Sequence, residues 1–240
     1  MLPDDETSRV LAVTAHPDDI DFLAAGTIAG WTDRGIEVTY CIITDGDAGG
    51  SDHSVDRAQI PIIRRAEQVA AAQIVGVTDV RFLGYRDGEL TVTHELRRDI
   101  SRVIRQVRPQ RILIQTPERN WDSMPGSHPD HLASGEAAIQ AVFPDAGNPF
   151  AHTSLLQDEG LDGWSVSEVW VMGHSKRTQF SDITDQFDRK IAALRAHQSQ
   201  TGERHGLDEL IRDWGARIGA EAGFEPGRLA EGFFVARMPG

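Results

Sequence analysis

The sequence has too few cysteines for a disulfide-stabilised fold and no apolar run suited to a membrane. It contains one cysteine among 240 residues, so an internal disulfide is impossible. Cys41 lies in the apolar run 38–43, which predicts a buried thiol. No apolar run approaches the roughly 20 residues needed to cross a bilayer, and the first six residues are not basic. We therefore expect a cytoplasmic protein with no membrane partner.

Positive charge is also scarce. Lysine and arginine total 24 against 37 acidic residues, which gives a formal net charge of −13. Nucleic acids and anionic membranes would repel such a chain, so neither is expected as a partner. A homo-oligomer remains an open alternative. The length fits one large domain and no linker or repeat divides the chain, which predicts a single domain over residues 1–240.

Apolar runs rich in β-branched residues alternate with amphipathic helical patterns. The predicted strands are 10–15, 38–43, 80–83, 111–116 and 169–172. The predicted helices are 20–34, 62–75, 94–106, 129–142, 185–197 and 207–222. The final run 232–238 either adds an edge strand or covers the sheet. This alternation predicts an α/β fold with a mainly parallel sheet.

The tripeptide His-Pro-Asp occurs twice, at 16–18 and 128–130, each time between a predicted strand and a helix. Another possible metal ligand follows each copy, Asp19 after the first and His131 after the second. In a doubly wound sheet of order 3-2-1-4, strands 1 and 4 are neighbours, and ligands bind at their carboxyl ends. The two motifs are therefore expected to form one metal site.

Proline at a first helical position fixes where a helix begins. Pro17 and Pro129 accordingly predict that His16 and His128 cap the two helices. One interpretation is that the motifs only cap helices, since short motifs occur by chance. Two copies at equivalent junctions favour a shared site instead.

His16, Asp19 and His131 form a two-histidine, one-carboxylate set that leaves a coordination position open, as in catalytic zinc sites. Neighbouring side chains on a helix point about 100° apart, so Asp18 cannot do the same work as Asp19. Asp18 is the predicted general base. His128 is left to stabilise the tetrahedral oxyanion or to protonate the departing amine.

Zinc lowers the pKa of bound water from 15.7 to about 7 and polarises carbonyl oxygens, which is hydrolytic chemistry. Ferrous iron or cobalt could use the same three ligands, so an iron-dependent oxygenase is an alternative. Hydrolysis needs a base such as Asp18 beside the metal ligand Asp19, whereas oxygen activation does not. Zinc hydrolysis is therefore favoured.

The segment Ala15-His16-Pro17-Asp18-Asp19, with the second motif far downstream, resembles the LmbE-like deacetylases. These are also called the PIG-L or N-acetylglucosaminyl-phosphatidylinositol de-N-acetylase family. The resemblance runs from about Val10 to Phe234, and its further positions are Thr44-Asp45-Gly46, Arg64, Glu67, Phe82-Leu83-Gly84, Asp87-Gly88, Asp182-Ile183-Thr184, Lys190, His197-Gln198-Ser199-Gln200 and Ala230-Glu231-Gly232-Phe233.

This resemblance implies a Rossmann-like three-layer fold and a zinc-dependent hydrolase that removes an acetyl group from an N-acetylglucosamine-type sugar. Its substrate would be a small amino sugar or sugar-bearing metabolite, in natural-product or thiol-cofactor biosynthesis. The metal ligands that the resemblance implies are His16, Asp19 and His131. The implied general base is Asp18 and the implied oxyanion-stabilising histidine is His128, as assigned above. Arg64 and Asp87 match positions where family members contact the sugar, and an ordinary ion pair between helix and loop is the alternative.

The chain departs from the family pattern at two places. Ile20 and Asp21 follow the paired aspartates where many members have Glu, and Gly126 stands where some have a carbonyl-polarising Tyr. A sugar-binding protein that has lost catalysis is therefore a further alternative. The loop 117–127 runs directly into the second motif and contains Trp121, so we expect it to help choose the substrate.

Overall fold

The computed structural model describes residues 2–50, 54–121, 124–202 and 204–238. A seven-stranded sheet of order β3-β2-β1-β4-β5-β7-β6 forms its centre. The neighbours among β1 to β5 pair in parallel, and β7 pairs antiparallel with both β5 and β6. The strands are β1 (Arg9–Thr14), β2 (Glu37–Thr44), β3 (Asp79–Tyr85), β4 (Arg111–Gln115), β5 (Glu168–Met172), β6 (Gln179–Asp182) and β7 (Ala230–Arg237).

Helices cover both faces of the sheet. They are α1 (Asp19–Asp33), α2 (Ile60–Ile74), α3 (His94–Val107), α4 (Pro129–Gln140), α5 (Thr153–Gln157), α6 (Phe187–Ala196), α7 (Gln198–Thr201) and α8 (Leu207–Glu221). Alternate residues of β1 point into the two apolar cores on opposite faces of the sheet: Val10 and Ala12 pack with α1, α2 and α6, whereas Leu11 and Val13 pack with α3 and α4. A third apolar cluster joins α6 to α8.

The predicted three-layer α/β sandwich with a mainly parallel sheet is confirmed. Each predicted strand and helix is present, with ends within two residues of the expected ones. The run 232–238 is neither an edge strand nor a cover, because β7 lies inside the sheet between β5 and β6. Among the helices of the described residues, none combines the length and apolar character that crossing a bilayer requires.

The carboxyl ends of β1 and β4 are joined directly. The two strands pair in register, with Val13 opposite Ile114, and Oε1 of Gln115 accepts the backbone N–H of Ala15 at 2.8 Å. At Gly135 of α4, a Cβ atom would lie 2.3 Å from the carbonyl oxygen of Gln115. Glycine therefore lets α4 approach the end of β4, which brings the second motif against the first.

Candidate metal centre

The first motif forms a turn before its helix. Helix α1 begins at Asp19, and Asp18 has φ 95° and ψ −28°, the left-handed conformation. The expectation that Pro17 opens this helix and His16 caps it is therefore wrong. The physical reason lies in α2: the Pro17 carbonyl accepts from Nη2 of Arg64 at 2.6 Å, which holds the chain outside the helix.

The second motif adopts the predicted helix start. Helix α4 begins at Pro129, and Nδ1 of the capping residue His128 accepts the backbone N–H of Asp130 at 3.2 Å. His131 follows in the first turn. Burial lowers the pKa of His128, and the neighbouring His16 adds to this effect. His128 is therefore a neutral imidazole whose remaining proton is on Nε2.

The three expected ligands converge. Nδ1 of His16 lies 3.2 Å from Nε2 of His131, which lies 3.0 Å from Oδ1 of Asp19. The other Asp19 oxygen, Oδ2, lies 3.4 Å from Nδ1 of His16. Ligands bound about 2.0–2.2 Å from a tetrahedral zinc lie about 3.3–3.6 Å from one another. The spacing of these donors is close to that range and fits a zinc-sized ion.

The second ring nitrogen of each histidine has its own partner. Nε2 of His16 lies 3.0 Å from Oδ1 of Asp87 and 3.2 Å from Oδ2 of Asp130, so it keeps its proton, and Nδ1 is the nitrogen that would give up a proton to bind a metal. Burial lowers the pKa of His131, but the charge of Asp19 and its hydrogen bond outweigh this and raise the pKa. A hydrogen bond to the backbone of Gly126 leaves Nε2 toward the cluster. Such partners fix the tautomer that a metal ligand needs.

The charges of the cluster also favour a cation. Burial opposes ionisation of Asp19, but the charge of His131 and hydrogen bonds from both histidines hold the pKa of Asp19 below its usual range. Burial alone would lower the pKa of His16. Hydrogen bonds to Asp130, Asp19 and Asp87 outweigh it and raise this pKa to about 12. The surrounding carboxylates therefore stabilise positive charge at this point.

Two other groups of ligand-type atoms include His16. Atoms of His16, His128 and His131 lie within 4.8 Å of one another, and so do atoms of His16, Asp87 and Asp130. In the first group Nδ1 of His128 already accepts a backbone proton. In the second, both carboxylates face the protonated Nε2 of His16. These contacts favour the set of His16, Asp19 and His131.

Asp18 lies next to this set, and its side chain is 15% exposed. Its Oδ2 is 3.2 Å from Nη2 of Arg64. Burial raises the pKa of Asp18 to about 6, although Arg64 acts in the opposite direction. A carboxylate that titrates near neutrality can accept a proton during reaction, which suits the predicted role of general base.

A buried polar chain that the sequence patterns do not indicate lies behind Asp18. Nε2 of His197 lies 2.9 Å from Oδ2 of Asp21, and Nε2 of Gln68 donates to the same oxygen at 2.9 Å. Oε1 of Gln68 accepts the backbone N–H of Asp18 at 2.9 Å. His197 thus anchors its helix to α1. Asp21 and Ile20 are the residues at which this chain departs from the family Glu. Asp21 belongs to this polar chain, and Ile20 packs in the core.

The proposed substrate residues are in different environments. Arg64 is 3% exposed and also donates from Nη1 to the Gly46 carbonyl at 3.0 Å. Asp87 is 9% exposed and faces His16. Nη1 of Arg64 lies 4.0 Å from Oδ2 of Asp87, which matches the alternative of an ion pair between helix and loop. Sugar contact by either residue stays a prediction. Trp121 is 79% exposed beside the guanidinium of Arg119; the adjoining positions 122 and 123 lie outside the described residues.

A mainly parallel sheet with a two-histidine, one-carboxylate cluster at its carboxyl edge, and a further carboxylate alongside, is the arrangement expected of a metal-dependent hydrolase of Rossmann-like fold. The family model described as GlcNAc-PI de-N-acetylase, PIG-L, matches residues 11–142. The chain belongs to this family, and the resemblance drawn from the two motifs is confirmed.

The relatives extend the match over nearly the whole chain. Diacetylchitobiose deacetylase of Thermococcus kodakarensis is 37% identical over 202 residues, 84% of this chain and 73% of that protein. A probable N-acetyl-alpha-D-glucosaminyl L-malate deacetylase 2 of Bacillus cereus is 35% identical over 217 residues, 88% and 89% of the two chains. The solved N,N'-diacetylchitobiose deacetylase of Pyrococcus horikoshii superimposes with TM-score 0.89 at 31% identity, covering 98% of this chain and 86% of that one. The predicted hydrolase class is confirmed.

Proposed function

We propose that this protein is a zinc-dependent N-deacetylase that acts on an N-acetylglucosamine-type sugar. The observation that carries the proposal is the convergence of His16, Asp19 and His131 at 3.0–3.4 Å, with each imidazole fixed by its own partner. The named activities of the relatives support the reaction class, and their named substrates share an acetylated glucosamine unit.

When bound, zinc would lower the pKa of the attacking water and polarise the acetamide carbonyl. His16, Asp19 and His131 would hold it. Asp18 accepts a proton from the water while the water oxygen adds to the carbonyl carbon. Arg64, bound to Oδ2 of Asp18, keeps that carboxylate directed at the water during this step. The C–N bond then breaks as the proton taken up by Asp18 passes to the departing nitrogen, and the products are acetate and the free amino sugar.

His128 would stabilise the developing oxyanion. Its Nδ1 is occupied by the Asp130 N–H, so Nε2–H is the group free to donate to the developing oxyanion. The lowered pKa of His128 keeps the ring neutral, with one proton to share. A donor of this kind contributes on the order of 10²–10³ in turnover.

The test uses the purified protein loaded with zinc and offered N,N'-diacetylchitobiose and N-acetylglucosamine. Primary amine and acetate should appear in equal amounts. The metal present after purification without an affinity tag, measured by elemental mass spectrometry, identifies the ion that the chain retains. Iron in place of zinc would show that the hydrolase uses another metal that fits the same ligands. A metal-loaded protein that binds these sugars without releasing amine would overturn the proposal.

Trp121 is proposed to contact the part of the substrate beyond the acetamide, because it lies exposed in the loop that leads to His128. Trp121→Ala should change the ratio of kcat/KM between diacetylchitobiose and N-acetylglucosamine by roughly 2- to 10-fold, the effect of losing one aromatic contact. Phe150→Ala is the matched control, since Phe150 is also exposed (85%) but follows α4 on a different loop. An equal loss on both substrates would contradict a role in selection.

A further inference from the structure

One peptide group in the site is held at both ends by α2. The carbonyl of Pro17 accepts from Nη2 of Arg64 at 2.6 Å, and the N–H of Asp18 donates to Oε1 of Gln68 at 2.9 Å. Carbonyl and N–H belong to the same peptide unit. Arg64 and Gln68 are four residues apart in α2, so they share one helix face. They contact opposite ends of the peptide that precedes the Asp18 side chain.

This peptide needs external support. Asp18 has φ 95°, where a residue with a Cβ atom is strained by roughly 1–3 kcal/mol. Rotation of the Pro17–Asp18 peptide would relieve the strain and swing the Asp18 carboxylate away from its present direction. Binding of both peptide ends opposes that rotation. The carboxylate direction therefore depends on side chains of α2 as well as on the turn itself.

Gln68 is suited to this contact because an amide can accept and donate at once. Its oxygen faces the Asp18 N–H, and its nitrogen donates to Oδ2 of Asp21 at 2.9 Å. Asp21 is in turn held by Nε2 of His197 at 2.9 Å. Gln68, Asp21 and His197 are all 0% exposed. The amide orientation is therefore fixed by a buried chain that ends on α6.

We propose that Gln68 is a positioning residue for the general base. It contacts no reacting atom and acts by holding the Asp18 peptide in the left-handed conformation that aims the carboxylate at the attacking water. The inference rests on the proposed function, since it assigns to Gln68 a part in the reaction that Asp18 performs.

Gln68→Met keeps the length of the side chain and removes both amide contacts. We expect kcat to fall on the order of 10- to 100-fold, as when a catalytic group is displaced by about 1 Å. KM and zinc content should be unchanged, because His16, Asp19 and His131 do not touch Gln68. Gln73→Met is the matched control: Gln73 lies on the same helix but is exposed, and its variant should equal the natural enzyme.

Gln68→Glu is the conservative variant, since its carboxyl group, when protonated beside the Asp21 carboxylate, can accept the Asp18 N–H with one oxygen and donate to Oδ2 of Asp21 with the other. It should recover part of the kcat lost in Gln68→Met. Each rate is measured below the melting temperature of that variant, so a loss of stability does not count as a loss of turnover. Crystal structures of the two variants give a second measurement: Asp18 should leave the left-handed conformation with Met and keep it with Glu.

A double-mutant cycle separates positioning from a general structural effect. In an Asp18→Asn background, Gln68→Met should cause no further loss of kcat, because the group that Gln68 positions no longer takes a proton. The same fold-loss in both backgrounds would overturn the inference, as would a Gln68→Met enzyme with natural kcat or with reduced zinc content. An inactive natural enzyme would overturn the proposed function itself, a result visible before any Gln68 variant is made.

Discussion

Replacing His131 with alanine is expected to remove zinc from the protein and to abolish deacetylation. His131 contributes one of two nitrogens to the cluster, and its Nε2 lies within 3.2 Å of both other donors. Two remaining protein ligands hold zinc far more weakly than three. Elemental mass spectrometry should show about one zinc per natural chain and much less than one in the variant.

Two other histidine variants show whether zinc loss is specific to a metal ligand. His205→Ala removes an exposed histidine far along the chain and should leave zinc content and turnover unchanged. His128→Ala should keep zinc but lower kcat, because Nδ1 of His128 binds a backbone N–H rather than facing the cluster. Full zinc occupancy in His131→Ala would refute this ligand set. Loss of zinc in His128→Ala would instead support the set of three histidines.

The place of the site could be predicted from the sequence because the strands and motifs are local patterns and the doubly wound sheet has a common strand order. Strand periodicity placed His16 after β1 and the second motif after β4. Parallel strands with neighbouring carboxyl ends then had to bring the motifs together.

The turn at Asp18 could not be predicted in the same way. Pro17 is typical of a first helical position, and nothing adjacent to it indicates a left-handed residue. The groups that hold the turn, Arg64 and Gln68, are 47 and 50 residues away from the atoms they bind. The contact of Asp21 with His197 spans 176 residues. Such partners become visible only when the helices are packed.

The edge strand β6 was missed for a different reason. Its four residues Gln179–Asp182 are mostly polar and show no run of β-branched side chains. Pairing of this segment with β7, from Gln179 opposite Phe233 to Asp182 opposite Ala230, makes it a strand. The hydrophobic pattern of one segment does not contain that information.

Asp18→Asn is expected to retain zinc and to lose roughly 10²–10⁴ in kcat, the contribution of a placed general base. The amide has the shape of the carboxyl group, and its oxygen can still accept from Nη2 of Arg64, so the turn should persist. It cannot accept the proton of the attacking water. Zinc content, melting temperature and KM should therefore stay close to natural values while amine release falls.

Asp185→Asn is the control for the loss of one negative charge, because Asp185 is exposed in the turn before α6. Its kcat should equal that of the natural enzyme. If Asp18→Asn kept its zinc and still turned over within about tenfold of the natural rate, another group would be the base. Asp87 and Asp130 face Nε2 of His16 and are bound there. Among the carboxylates described around the cluster, Asp18 is therefore the best placed to accept a proton, and this variant tests the mechanism most directly.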